Sequence, residues 1–90
     1  MKVHELLTDV SKWTQNIAAR NKKHRYVNPK SLKAVCWCLM GAISRCYGAE
    51  ASAIRVLVKQ ILGNTIIEAW NDNPTRQFSD VRELALRLDI

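Results

Sequence analysis

Glycine is scarce in this 90-residue chain, with three occurrences. None of them belongs to a glycine-rich loop of the kind that cradles phosphate groups, which excludes that class of nucleotide-binding motif. The sequence also lacks carboxylate pairs and a His–Glu helix motif at a spacing that would build an active site. These absences predict a protein without enzymatic activity.

Long apolar runs are missing as well. The longest nearly uncharged stretch, Ala34 to Ile43, has about ten residues, half of what a membrane-spanning helix requires. At the start of the chain, Glu5 and Asp9 interrupt the apolar residues, so no signal-peptide apolar region forms. We therefore expect a soluble, cytoplasmic protein that has no membrane partner.

Cysteine occurs three times, at Cys36, Cys38 and Cys46, and an odd number cannot close into a full disulfide framework. On a helix, Cys36 and Cys38 would point about 200° apart, so one zinc ion could not be held by both. His4 and His24 lie in other segments and complete no ligand set. We predict no metal site and no cofactor, and we expect the thiols to be small buried apolar groups without a catalytic role.

Positive charge is present but unevenly distributed. The net charge is +6, and residues 1–47 carry nine basic and two acidic side chains, whereas residues 48–90 carry five basic and six acidic ones. The basic run at 20–33 contains no acid, and its cations are Arg20, Lys22, Lys23, Arg25, Lys30 and Lys33. Such a run can attract phosphates, an anionic membrane surface or an acidic protein, or it can be a solvated loop that maintains solubility.

Apolar residues recur at helical spacing through nearly the whole chain, and no strand-like alternation is visible. The pattern predicts an all-α fold, a compact single domain over residues 1–90 with a basic loop at 20–30. Cap signals, such as Asn28 before Pro29 and Gly48 after Tyr47, divide the chain into about five helices. These helices are predicted at about 2–20, 29–47, 51–62, 65–70 and 79–88.

The central helix predicted over 29–47 has two unlike faces. Its core stripe consists of Leu32, Val35, Cys36, Leu39, Ile43 and Cys46. The opposite face is built from the small residues Ala34, Cys38, Gly41 and Ala42. Glycine inside a helix costs about 1 kcal/mol relative to alanine, so we expect another helix to cross closely at Gly41.

A second cluster of interest is the corner formed by Trp70, Asn71, Asp72 and Arg76. The structural interpretation places Trp70 in the core and lets Asn71 and Asp72 bond to local backbone, with Asp72 also holding Arg76. The functional interpretation makes the four residues a corner that grips a ligand. We favour the structural interpretation.

Four motifs in order carry a resemblance to a known family: "WTQ" (13–15), "WCLMGAI" (37–43), "WND" (70–72) and "TRQFSDV" (75–81). The chain resembles a family of small uncharacterised proteins from actinobacterial, phage and other mobile-element genomes, known only as a domain of unknown function. The resemblance implies a compact helical domain and an origin in a phage or mobile element. The basic segment at 20–33 departs from the family pattern, in which a shorter, glycine-containing link would be expected.

Two binding hypotheses follow from the basic run. In the first, a phage or mobile-element factor binds and modulates a host protein through the basic loop, with Tyr26 or Trp13 as an aromatic anchor. In the second, the cations of residues 20–33 contact nucleic-acid phosphates while Tyr26 stacks on a base, without sequence-specific reading because no recognition helix is present. We prefer the first, since the charge is confined to one loop. The sequence leaves a homodimer open.

Overall fold

The computed structural model describes all of residues 1–90. It contains five α-helices, two short strands and two 3₁₀ turns, Val10–Lys12 and Gly48–Glu50. The α-helices are α1 (Val3–Leu6), α2 (Leu39–Tyr47), α3 (Ala51–Ile61), α4 (Ile67–Asp72) and α5 (Phe78–Leu88). The two strands are β1 (Ala19–Arg20) and β2 (Cys36–Trp37).

The prediction of an all-α fold is wrong, because β1 and β2 form a small antiparallel sheet. Ala19 lies opposite Trp37, and Arg20 lies opposite Cys36. Both strands fall inside segments that were predicted to be helical. The sheet joins the two ends of the basic segment, so this segment is a closed loop that leaves one strand and returns through the other.

The first predicted helix, 2–20, ends after a single turn. Leu7 leaves the helical region with φ −87° and ψ 71°, and the Asp9 carboxylate then accepts from the backbone N–H of Ser11 (2.9 Å). That local bond starts the 3₁₀ turn in place of a continued helix. Trp13 is extended, and the backbone N–H of Thr14 donates to the carbonyl of Trp37 (3.1 Å). The backbone N–H of Thr14 is therefore paired with β2, not with a carbonyl one turn earlier in a helix.

The predicted central helix begins at Leu39 rather than at residue 29. Asn28 and Ser31 accept from the backbone N–H groups of Lys30 and Lys33 (2.9 and 3.1 Å), local bonds that favour turns over a helix. Leu32 is consequently 96% exposed, and Val35 is exposed as well, so both were wrongly placed in the core stripe. The remaining stripe residues, Cys36, Leu39, Ile43 and Cys46, are buried or half-buried.

The close approach predicted at Gly41 is confirmed, but its partner is the backbone of Ala18, in a bend before β1, and not a helix. A Cβ atom placed on Gly41 would lie 1.9 Å from the carbonyl oxygen of Ala18. The backbone N–H of Cys38 donates to the same oxygen (3.1 Å). Glycine at this position lets α2 lie directly against the backbone that leads into β1.

The core lies where α1, α2, α3 and α5 meet. Its largest fully buried side chains are Leu7, Leu39, Ile43, Val3, Val58, Val81 and Asn71. The bounds of α3, α4 and α5 lie within about two residues of those predicted, because the apolar residues there keep their helical spacing. None of the helices combines the length and the apolar character that crossing a bilayer requires.

Candidate binding site in the basic loop

The basic loop predicted at 20–30 spans residues 21–35 in the structure, and Arg20, the last residue of β1, supports it. This half-buried side chain donates to Thr14 Oγ1 (2.9 Å) and to the carbonyls of His24 (3.0 Å) and Gln15 (3.2 Å). Two of these bonds connect Arg20 to Thr14 and Gln15 before β1, and the third connects it to His24 within the loop. Arg20 was predicted as a binding residue, and the structure places it in β1 as a support of the loop.

The far end of the loop is held by Arg45 of α2. Its guanidinium donates to the carbonyls of Pro29 (3.0 Å) and Ser31 (2.8 Å) and lies 5.5 Å from the ring centroid of Trp37. The indole N–H of Trp37 also donates to the Pro29 carbonyl (2.9 Å). Sequence reasoning missed Arg45, although a single charge in the otherwise uncharged stretch 34–49 was a usable signal.

Local turns fix the middle of the loop. The Asn21 side chain accepts from the backbone N–H groups of Lys23 (2.9 Å) and Arg25 (3.1 Å), and His24 adopts a left-handed conformation with φ 62°. The backbone N–H of Val27 then donates to the carbonyl of Ala19 (3.2 Å). The backbone of the loop is therefore held in one conformation by hydrogen bonds, which fixes the positions from which its exposed side chains project.

An open groove of about 560 Å³ lies on the outer surface of this loop. We call it the basic groove; it is lined by Asn21, Lys22, Lys23, Arg25, Leu32, Lys33 and Val35. No acidic side chain lines it, and its four cations make no ion pair or side-chain hydrogen bond within the protein. The groove thus concentrates positive potential that can attract an anionic group.

The remaining predicted binding residues lie outside the basic groove. Tyr26 is 60% exposed, and its backbone bridges to that of Arg20. The ammonium of Lys30 is directed towards Gly48, where an added Cβ would lie 3.8 Å from Nζ. The structure therefore brings together four of the seven predicted residues, namely Lys22, Lys23, Arg25 and Lys33.

The corner at residues 70–76 is a filled structural joint. Asn71 is fully buried, and its Oδ1 accepts from the Trp13 indole N–H (2.8 Å) and from the backbone N–H of Leu39 (3.0 Å). Its Nδ2 donates to the carbonyl of Thr14 (3.2 Å) and to Asp72 Oδ1 (2.9 Å). All four hydrogen-bonding positions of the amide are occupied by protein, so Asn71 has no bond left for a ligand.

The predicted bond between Asp72 and Arg76 is wrong. Asp72 Oδ1 instead accepts from the backbone N–H of Asn16 (2.8 Å), a residue held at φ 70°. Arg76 donates to the carbonyl of Trp70 (2.9 Å), and its guanidinium lies 4.1 Å from the Trp70 ring centroid. Asp72 therefore stabilises the turn at Asn16, whereas Arg76 stabilises the end of α4 at Trp70.

The thiols contribute to packing. Cys36 lies in β2 and Cys38 just before α2, not on the predicted helix, although both are buried as predicted. Cys46 lies in α2 and is only half-buried. The Sγ atom of Cys38 accepts from the backbone N–H of Gly41 (3.2 Å) at the start of α2. Burial raises the pKa of the Cys38 thiol and also that of Cys46, which disfavours the thiolate form that reacts. No group of three His, Cys, Asp or Glu side chains is arranged to share a metal ion.

Comparison with known proteins places the chain in a family. Residues 1–88 match the model of a family described as "Family of unknown function (DUF6197)". The chain belongs to this family. It matches no curated protein and no solved structure. The matched range covers both the basic loop and the Asn71 joint of this chain.

Proposed function

We propose that this DUF6197 protein is a non-enzymatic binding protein whose basic groove docks an acidic segment of a partner protein. The observation that supports this function is the grouping of four unpaired cations with two exposed apolar side chains. Lys22, Lys23, Arg25 and Lys33 supply the charge, and Leu32 and Val35 supply the apolar surface. Acidic side chains of the partner would pair with the cations, while an apolar side chain would cover Leu32 and Val35.

The exposed leucine favours a protein partner over a phosphate chain. Leu32 is 96% exposed between cations, and burying such a side chain contributes about 1.5 to 3 kcal/mol. A partner that carries carboxylates next to an apolar residue gains from both features of the groove. A sugar–phosphate backbone gains from the charges alone.

The rigidity of the loop supports the same proposal. Arg20 and Arg45 hold its two ends, and the Asn21 side chain fixes its middle. A surface that is already ordered loses less conformational entropy when a partner binds. The backbone of the groove therefore needs no ordering when a partner binds.

Sequence-nonspecific nucleic-acid binding is the second candidate, and the exposure of Tyr26 favours it. The ring is 60% exposed and follows Arg25 directly in the chain. Base stacking on such a ring contributes about 1 to 3 kcal/mol per base, and the neighbouring cations would contact phosphates.

We also propose what kind of protein the partner is. The sequence resemblance to phage and mobile-element proteins supports a host protein as the partner, whose work the bound domain modulates. The expected cytoplasmic location and the absence of a membrane partner stay predictions, as does the absence of catalytic activity.

One binding experiment separates the two candidates. A labelled peptide of glutamate and leucine and a mixed-sequence single-stranded DNA are titrated with the protein across a salt series. The variants are the triple change Lys22→Ala, Lys23→Ala, Arg25→Ala and the single change Leu32→Ser. The double change Lys12→Glu, Arg87→Ala lowers the net charge by the same three units at exposed positions outside the groove and serves as the control.

The proposal predicts that the peptide binds and that both groove variants weaken it, Leu32→Ser by about tenfold. The control variant should retain most of the affinity. Tight DNA binding that falls steeply with salt and ignores Leu32→Ser would instead establish the second candidate. Failure of both ligands to bind at low salt would contradict both.

A further inference from the structure

Helix α3 is apolar on two sides. Its inward side packs on the core through Ala51, Ile54, Val58 and the following Leu62. Its outward side carries a second row at the spacing of three and four residues that marks one helix face. We call this row the outer stripe; it consists of Ala53, Val56, Leu57, Gln60 and Ile61. All five side chains are uncharged and exposed, and Val56 reaches 58% exposure.

The apolar surface continues from α3 onto the start of α4. Ile66, just before α4, is 62% exposed and lines a groove of about 420 Å³ next to the outer stripe. A run of exposed apolar side chains of this kind is typical of an interface rather than of a free helix face.

We propose that the outer stripe of α3 and the adjoining groove form the contact between two copies of this chain. The occupant is a second copy because the surface carries both signs of charge. Arg55 and Lys59 line the groove from α3, and Glu68 lines it from α4. In a two-fold contact the same patch faces itself, so a cation of one copy meets the carboxylate of the other.

Gln60 gives a second reason for a symmetric partner. It is the one polar side chain on the outer stripe, and its amide both donates and accepts hydrogen bonds. Across a two-fold axis, Gln60 can bond to its own equivalent in the other copy. A purely apolar partner would leave this amide buried without a bond, which is unfavourable.

The outer stripe shares no residue with the basic groove. A dimer formed through α3 therefore leaves both basic grooves open, and the inference stands apart from the proposed function. Failure of the dimer would leave the groove experiment unaffected.

The first test is the molar mass in solution, measured by sedimentation velocity over a wide concentration range. A concentration-dependent dimer is expected for the full chain. Leu57→Glu should weaken its association by about tenfold or more, because a charge enters the centre of the stripe. Leu86→Glu changes a comparable half-exposed leucine on α5 and should leave the dimer intact.

The charge pairing is tested by mixing two variants. Lys59→Glu and Glu68→Lys should each weaken self-association, because like charges then meet across the two-fold axis. An equimolar mixture should recover the dimer, since the two variants present opposite charges to each other at both contacts. Circular dichroism confirms that each variant is folded.

Three results would overturn the inference. One is a chain that stays monomeric at all concentrations, which would assign the stripe to another partner. Another is a dimer that persists in Leu57→Glu, which would place the contact elsewhere. The third is a mixture of the two charge variants that associates no better than either one alone.

Discussion

At the scale of single residues, the fold depends on one buried amide. Asn71 bonds to two distant parts of the chain: the neighbouring residues Trp13 and Thr14, and Leu39, the first residue of α2. Gln15 reinforces the same joint by donating to the carbonyl of Asn71 (2.9 Å). The "WTQ" and "WND" motifs are therefore two halves of one hydrogen-bonded structure.

Replacing Asn71 by alanine should destabilise the protein strongly. The Trp13 indole and the Leu39 backbone N–H would lose their acceptor while buried, and we expect a loss of at least about 2 kcal/mol in the free energy of unfolding. Urea denaturation followed by circular dichroism measures this loss. Asn73→Ala is the matched control, because the exposed Asn73 side chain bonds only to Thr75 (2.9 Å) in its own turn; equal losses in the two variants would refute the role of Asn71.

At the scale of elements, the decisive contact is that of α2 with the backbone of Ala18, just before β1. Helix α2 begins at Leu39, where the Cys38 thiol receives the N–H of Gly41. The absent side chain at Gly41 allows the carbonyl of Ala18 to approach the helix. Close packing of this kind joins the sheet to the helical core without a loop between them.

The change Gly41→Ala tests this contact. Alanine is normally better than glycine in a helix by about 1 kcal/mol, but here its Cβ would overlap backbone atoms of Ala18. We expect a net destabilisation of about 1 to 3 kcal/mol, the usual range for overpacking, measured by urea denaturation. Ser44→Ala, in the same helix, should change the stability by less than about 0.5 kcal/mol. A stabilised Gly41→Ala protein would show that the segments do not meet.

At the scale of the whole molecule, ion pairs and hydrogen bonds connect residues 2–4 with Asp89. Asp89 pairs with the Lys2 ammonium (2.7 Å) and with His4 Nε2 (3.1 Å), and the Tyr47 hydroxyl donates to the carbonyl of Ile90 (3.1 Å). Ile90 itself is buried. The hydrogen bond from Lys2, followed by that from His4, lowers the pKa of the Asp89 carboxyl below its ordinary value of 3.8.

This lowered pKa predicts a dependence of stability on pH. A carboxyl group with a lower pKa in the folded state stabilises the protein above its ordinary pKa, and this stabilisation is lost as the pH falls through the folded value. The melting temperature of the native protein should exceed that of Asp89→Asn at neutral pH, and the difference should shrink below about pH 4. Added salt should shrink it as well, because the pair is exposed.

Glu83→Gln is the control for this pH experiment, since Glu83 is exposed and has no partner in the structure. Its melting temperature should follow that of the native protein at every pH. A difference between the native protein and Asp89→Asn that stays constant from neutral to acidic pH would contradict the pairing.

The sequence by itself determined those features that depend on neighbouring residues. The helices α3, α4 and α5 were predicted close to their observed bounds, and so were the buried thiols Cys36 and Cys38 and the basic run at 20–33. Helical periodicity and charge act over a few positions and can be read directly from the chain. The close approach at Gly41 was also visible, because an unexplained glycine in a helix pattern requires a compensating contact.

Only the tertiary structure decided which segments do not form the helix that their apolar spacing predicts. Residues 13–20 and 29–37 have apolar spacing that suits a helix, yet they are extended or turned, because their backbone groups bond to each other across the sheet and Asn71 fixes Trp13 and Thr14 from a distance. The same rearrangement exposes Leu32 and places Arg20 beneath the loop. The basic groove therefore arises from contacts between residues far apart in the sequence, which a local pattern does not contain.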